Sequence, residues 1–129
     1  MKKVKILIVE DDLMTLQGYV AAFSQAGFFV FQAQDGLEGL KVATREKPDI
    51  ILSDIMMPIM DGIDMLKKMR EGNDYEKNVP VVLLTNLNPG AAKIDEKVPE
   101  TGPVYYVLKA DFTFRQIVDK VKEILSQSK

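Results

Sequence analysis

The chain has no cysteine and no histidine. Without cysteine there are no disulfides and no thiolate metal sites, which is compatible with a cytoplasmic location. Without histidine, zinc enzymes and Ser-His nucleophiles are disfavoured, and any metal must be held by oxygen, which favours Mg²⁺ or Ca²⁺. Charge of one sign is not in excess. The formal net charge is −2, so no basic surface points to direct nucleic-acid binding or to an anionic membrane. No apolar run is long enough to span a bilayer. The basic start Met1-Lys2-Lys3 leads into Val4 to Val9, which is too short for a signal-peptide core and runs straight into acids. What remains is ordinary for a globular protein: 129 residues, 47% hydrophobic and 28% charged, enough for one domain spanning residues 1–129.

The stretch Ile50 to Gly62 (IILSDIMMPIMDG) organises the rest. A short apolar run rich in β-branched residues reads as a strand buried on both faces, with Asp54 at its carboxyl end. In open α/β sheets that edge is where ligands bind. Elsewhere, strands are expected over Val4–Val9, Phe28–Phe31, Asp49–Asp54, Pro80–Thr85 and Val104–Leu108. Between them, Leu13, Leu16, Val20 and Phe23 recur at helical spacing up to about Ala26, where Gly27 stops the helix. Asp35 and Glu38 have capping-box spacing before a helix that ends ahead of Pro48. Asp61 caps a third helix bearing Ile63, Leu66 and Met69, and Glu71–Asn78 reads as a polar loop. Ala91–Val98 has the composition of a short helix crowded by Pro89, Pro99 and Pro103. Phe114, Ile117, Val118, Val121, Ile124 and Leu125 form the stripe of a last helix, capped by Asp111 or Thr113.

Strand and helix alternate five times. The expected fold is therefore α/β: a doubly wound, five-stranded parallel sheet with helices on both faces and right-handed crossovers. Parallel order carries Glu10-Asp11-Asp12, Asp54, Thr85 and Lys109 to one edge. Clustered carboxylates repel unless a cation is close. Mg²⁺ suits such a site and favours phosphoryl substrates. A carboxylate can attack phosphorus to form an aspartyl phosphate, with an ammonium and a hydroxyl sharing the charge on the equatorial oxygens. Singly, each residue has an ordinary explanation: acids are solvated, threonine is common in strands and lysine on surfaces. Their joint placement, each at the end of a different strand, is what points to chemistry.

ILIVEDD (Ile6–Asp12), SDIMMPIMDG (Ser53–Gly62), LLT (Leu83–Thr85) and YVLK (Tyr106–Lys109) together resemble the receiver domain of two-component response regulators, over essentially the whole chain. The resemblance implies a flavodoxin-like fold and a phosphorelay function. Asp54 would be the phosphoacceptor, taking phosphate from a sensor histidine kinase or a phosphotransfer protein. Mg²⁺ would be held by Asp11, Asp54 and the backbone carbonyl of Met56, with Glu10 acting through water and Asp12 supporting from outside. Lys109 and Thr85 would contact the phosphoryl group, and Tyr106 would turn inward when Thr85 moves. A downstream protein would dock through residues 86–125. The chain would be no enzyme beyond its own aspartyl phosphorylation and dephosphorylation. It would act as a single-domain receiver through a partner, or as the receiver of a longer chain.

Three positions depart from the family pattern. Ala110 stands where proline usually follows the lysine, so a trans Lys109–Ala110 bond is expected, because a cis bond without proline costs roughly 2.5–4 kcal/mol. Asn86 replaces a small residue, and Pro99–Pro103 replaces the usual turn. Residues 86–103 carry three prolines and two glycines, so their backbone exchange, with that of Tyr106, is expected to change most on phosphorylation. Three other readings are weighed against this one. A degenerate receiver would act as a phosphorylation-independent interaction module, against which the complete acid, threonine and lysine set argues. A haloacid-dehalogenase-type phosphatase needs a second Asp where Met56 stands. A flavodoxin-type cofactor binder needs a Ser/Thr/Gly-rich loop where this chain is acidic.

Overall fold

A computed structural model describes residues 3–86 and 102–127. Five strands form one parallel sheet in the order β2-β1-β3-β4-β5. They are β1 (Lys5–Val9), β2 (Phe29–Ala33), β3 (Ile50–Asp54), β4 (Val81–Thr85) and β5 (Val104–Leu108). Among the described residues the helices are α1 (Leu13–Gln25), α2 (Gly36–Glu46), α3 (Gly62–Arg70), α4 (Asp74–Asn78) and α5 (Phe114–Gln127). The chain winds from β1 outward to β2, then returns to β3 on the other side of β1. The carboxyl ends of β1 and β3 therefore flank the switch point where open α/β sheets bind ligands.

Alternation along the strands makes two cores. Ile6, Ile8, Ile50, Leu52, Val82 and Leu84 face α1 and α5, where Leu16, Phe23, Ile117 and Val121 meet them. Leu7, Val9, Ile51, Val81 and Leu83 face α2 and α3, where Val42, Ile63, Leu66 and Met69 meet them. Burial on both sides explains why these strands read as continuous apolar runs. On the first face, the Phe114 ring lies across Gly18 and meets Tyr19 edge-on at 4.8 Å, which ties the start of α5 to α1.

The element ends differ from expectation at a few places, each with a local cause. β2 runs on to Ala33, because Glu10 N–H donates to the Ala33 carbonyl and prolongs pairing with β1. The polar loop expected at Glu71–Asn78 contains α4, which is nucleated by a capping box between Asn73 and Glu76. Thr113, and not Asp111, caps α5: its hydroxyl accepts from Gln116 N–H at 3.2 Å, while Asp111 closes a single 3₁₀ turn, Lys109–Asp111. The Lys109–Ala110 bond is trans, as expected. The short helix expected at Ala91–Val98 lies outside the described residues.

Arg70 joins three of these pieces. It is only 6% exposed, and its guanidinium donates to the Glu76 carbonyl and the Pro103 carbonyl, both at 3.0 Å. One planar fork thus holds the end of α3, the turn of α4 and the entry to β5. Replacing Arg70 with Met strands two acceptors and should cost about 2 kcal/mol or more in urea unfolding. Arg70→Lys should not rescue it, since an ammonium cannot reproduce the fork. A loss under about 0.5 kcal/mol, the size of an ordinary surface substitution, would show that the clamp contributes nothing.

Candidate functional site

The sheet brings four charged side chains together at its carboxyl edge. Glu10 follows β1, and Asp54 ends β3 beside it through the Val9–Ser53 register. Glu10, Asp11 and Asp54 each offer a carboxylate oxygen, and these oxygens all lie within 4.8 Å of one another. Lys109, which follows β5, reaches across β4 to them. Its Nζ donates to Glu10 Oε1 at 2.6 Å and to Asp54 Oδ2 at 3.2 Å. Thr85 ends β4, buried, in register with Leu108, so it lies between Asp54 and Lys109 along the edge.

The electrostatics follow from burial. Glu10 is 1% exposed and Asp54 8%. Burial works against the Lys109 charge, but the Glu10 hydrogen bond and the charges of Asp54 and Glu10 outweigh it and raise the lysine above its ordinary pKa. Partial loss of hydration beside the cluster, followed by the hydrogen bond and charge of Glu10, raises the Asp11 carboxyl above its ordinary value. Three carboxylates thus gather beside one ammonium that bonds two of them, and a hard cation with oxygen ligands would balance them. Asp11 is solvent-exposed and can turn its oxygens toward such an ion.

Local backbone shapes the rest of the site. Asp54 Oδ1 accepts from Ile55 N–H at 2.9 Å, which fixes the carboxylate plane. Ser53 Oγ donates to the Asp54 carbonyl at 2.8 Å. Gly62 opens α3 directly on that carbonyl, and a Cβ there would sit 2.3 Å from the oxygen. In the loop between, Met60 N–H donates to the Pro58 carbonyl at 2.7 Å around Ile59, whose φ is +69°. This is a γ-turn with a β-branched residue in the left-handed region, a strain of order 1–3 kcal/mol. Met56, two residues after Asp54, is 76% exposed.

Of the residues singled out in the sequence, Glu10, Asp11, Asp54 and Lys109 are brought into direct contact or near it. Tyr106 is half-buried against the α2–α3 face, and Tyr105 packs on the opposite one, as strand alternation requires. Asp12 does not enter the acid cluster. It caps α1, accepting from Thr15 N–H at 3.0 Å and from the Thr15 hydroxyl. The Ile59 turn and the seating of Gly62 on Asp54 were missed. The Asp61-Gly62 dipeptide was a signal for the second; nothing in the sequence marks an isoleucine for positive φ.

Comparison with known proteins agrees with this fold. The family model for the response regulator receiver domain matches residues 6–122. The chain belongs to that family. The receiver is 34% identical over 121 residues to sporulation initiation phosphotransferase F of Bacillus subtilis, covering 94% of this chain and 93% of that one. It is 35% identical over 121 residues to the transcriptional regulatory protein CusR of Escherichia coli, covering 94% of this chain but 51% of that protein. The chain thus spans about half the length of the transcriptional regulators it matches. Among solved structures, the chemotaxis response regulator CheY4 of Vibrio cholerae superposes with a TM-score of 0.82 at 27% identity, covering 95% of this chain and 99% of that one. Receiver domains are signalling modules of two-component systems, work with histidine kinases or phosphotransfer proteins, and bind Mg²⁺ at an acidic pocket. No helix among the described residues is long and apolar enough to cross a membrane.

The charge balance makes a prediction. Lys109→Met leaves Glu10 buried without its counter-charge, and in metal-free buffer it should lower unfolding free energy by about 3 kcal/mol. Millimolar Mg²⁺ should restore a larger share of stability to this variant than to the wild type. A metal-free loss below about 1 kcal/mol would contradict the role given to Lys109 as the counter-ion.

Proposed function

We propose that this receiver accepts a phosphoryl group on Asp54 from a phosphohistidine of a sensor histidine kinase or a phosphotransfer protein, in the cytoplasm. The observation that carries this reading is the Lys109 ammonium 3.2 Å from Asp54 Oδ2, within a group of three converging carboxylates. An Asp54 oxygen attacks phosphorus as the phosphorus–nitrogen bond breaks, and the imidazole leaves. The bond to Ile55 N–H holds the carboxylate in place for this. Lys109 moves part of its contact from Glu10 to a phosphoryl oxygen, and the Thr85 hydroxyl takes another.

Asp11, Asp54 and the Met56 carbonyl would hold Mg²⁺, with Glu10 acting through water; the ion supplies neutralisation of the phosphoryl charge. As Thr85 is drawn to the phosphoryl group, Tyr106 turns inward, and the affinity of residues 86–125 for a downstream protein changes; of these, 87–101 lie outside the described residues. A phosphoryl group shifts this equilibrium only by what it gains in one state over the other. Phosphorylation of its own Asp54, from the phosphohistidine or from a small donor, and loss of that phosphate by hydrolysis are the chemistry this reading assigns to the chain.

Incubation with acetyl phosphate and Mg²⁺ should raise the intact mass by one phosphoryl group. Asp54→Asn and removal of the metal by chelation should each abolish the gain. Undiminished labelling of Asp54→Asn would place the acceptor elsewhere. A folded wild type that takes no phosphate would make the chain a phosphorylation-independent interaction module.

A further inference from the structure

Residues 13–34, which form α1, the turn after it and β2, contain no charged residue, although the chain's 28% share would place about six there. α1 nevertheless exposes Gln17, Ala21, Ser24 and Gln25. β2 is the outermost strand on its side of the sheet, and its sequence, FVFQA, has no charge and no proline. It pairs with β1 residue for residue from Phe29 to Ala33, without a bulge. Edge strands normally carry such devices, because an open edge is a template for another strand.

The two ends of this edge are oppositely charged. At the amino end, Lys3, Lys5 and Lys47 share a groove of about 730 Å³ with Phe29; Asp49, which accepts from Lys5 N–H, is the one acid among the described residues lining it, so the groove is net basic. At the carboxyl end lie Asp35, which caps α2, and Glu38, which accepts from Gln34 N–H at 2.8 Å. An antiparallel copy would set each basic end against the other's acidic end.

We propose that a second copy of this chain docks on β2, antiparallel across a two-fold axis, continuing the sheet from five strands to ten. The backbone specifies the register. Phe29 N–H donates to the Val4 carbonyl, and the Ala33 carbonyl accepts from Glu10 N–H, so residues 29, 31 and 33 face β1. Val30 and Gln32 therefore turn their N–H and C=O outward. Pairing Val30 with Gln32 of the other copy satisfies all of these groups with four hydrogen bonds. Phe31 then meets its own counterpart on the axis, and each Phe29 lies opposite an Ala33, large against small. Phe29 and Phe31 already share one face, with ring centroids 5.1 Å apart, so the dimer lines up four rings over the α2 pair. The Phe29 side chain, on a residue 52% exposed here, is covered. On the other face, the uncharged surfaces of the two α1 helices approach without burying a charge.

Sedimentation velocity across a concentration series tests this, combined with hydrogen exchange on the same samples. The sedimenting mass should rise from one chain towards two. Exchange at Val30 and Gln32 should slow at least about tenfold between dilute and concentrated protein, while Phe29 and Phe31 amides stay unchanged. Phe29→Lys should keep the protein monomeric, as should Gln32→Pro, which an edge strand tolerates because that N–H points outward. Circular dichroism verifies that each variant is folded, and the wild-type exchange data stand if either is not. A single chain at every concentration overturns the proposal. So does a dimer that survives both substitutions with Val30 and Gln32 unprotected.

Discussion

The site depends on one ammonium shared by two buried carboxylates. Lys109 donates to Glu10 and to Asp54 from the far side of β4, and so links the ends of three strands. Without it, Glu10 would keep the Asp12 N–H but lose its counter-charge at 1% exposure, a cost of about 3 kcal/mol and so a large share of a domain's stability. With it, the cluster is still short of positive charge, because Asp11 adds a third carboxylate. The resulting field is tolerable to the fold and attractive to a divalent cation. That deficit connects the stability of the resting protein to the chemistry proposed for it.

The surrounding backbone keeps the four groups in register. Parallel pairing aligns Val9 with Ser53, Asp54 with Leu84 and Thr85 with Leu108, so each strand delivers its terminal residue to the same edge. Gly62 brings α3 against the Asp54 carbonyl, and Gly36 brings α2 against Met60, where its N–H donates to the Met60 carbonyl at 2.8 Å. The loop from Ile55 to Asp61 is thus tied at both ends and strained in the middle, at Ile59. A loop so constrained holds its carbonyls in fixed directions, as the proposed role of the Met56 carbonyl requires.

Much of this was legible in the sequence, and the reasons are specific. Ile6–Val9 and Ile50–Leu52 are apolar on both faces, and together with the alternation of strands and helices that pattern points to a parallel sheet covered on two sides. Parallel order then sends Glu10, Asp54, Thr85 and Lys109 to one edge without any knowledge of distances. The misses came from interactions with no periodic signature. The helix at Asp74–Asn78 is too short for one and is announced only by the Asn73–Glu76 box. Asp12, expected outside the acid pair, caps α1 through its side chain while its N–H donates to Glu10 at 3.1 Å. The choice of Thr113 over Asp111 as the cap turned on the 3₁₀ turn after Lys109, which depends on where the lysine must reach.

The account is tested most directly by a high-resolution crystal structure of the protein grown with Mg²⁺. It predicts one ion at the carboxyl edge, roughly 2.1 Å from oxygens of Asp11, Asp54 and the Met56 backbone, with Lys109 still bonded to Asp54. An edge that stays free of metal at saturating Mg²⁺, or an ion bound away from Asp54, would contradict it.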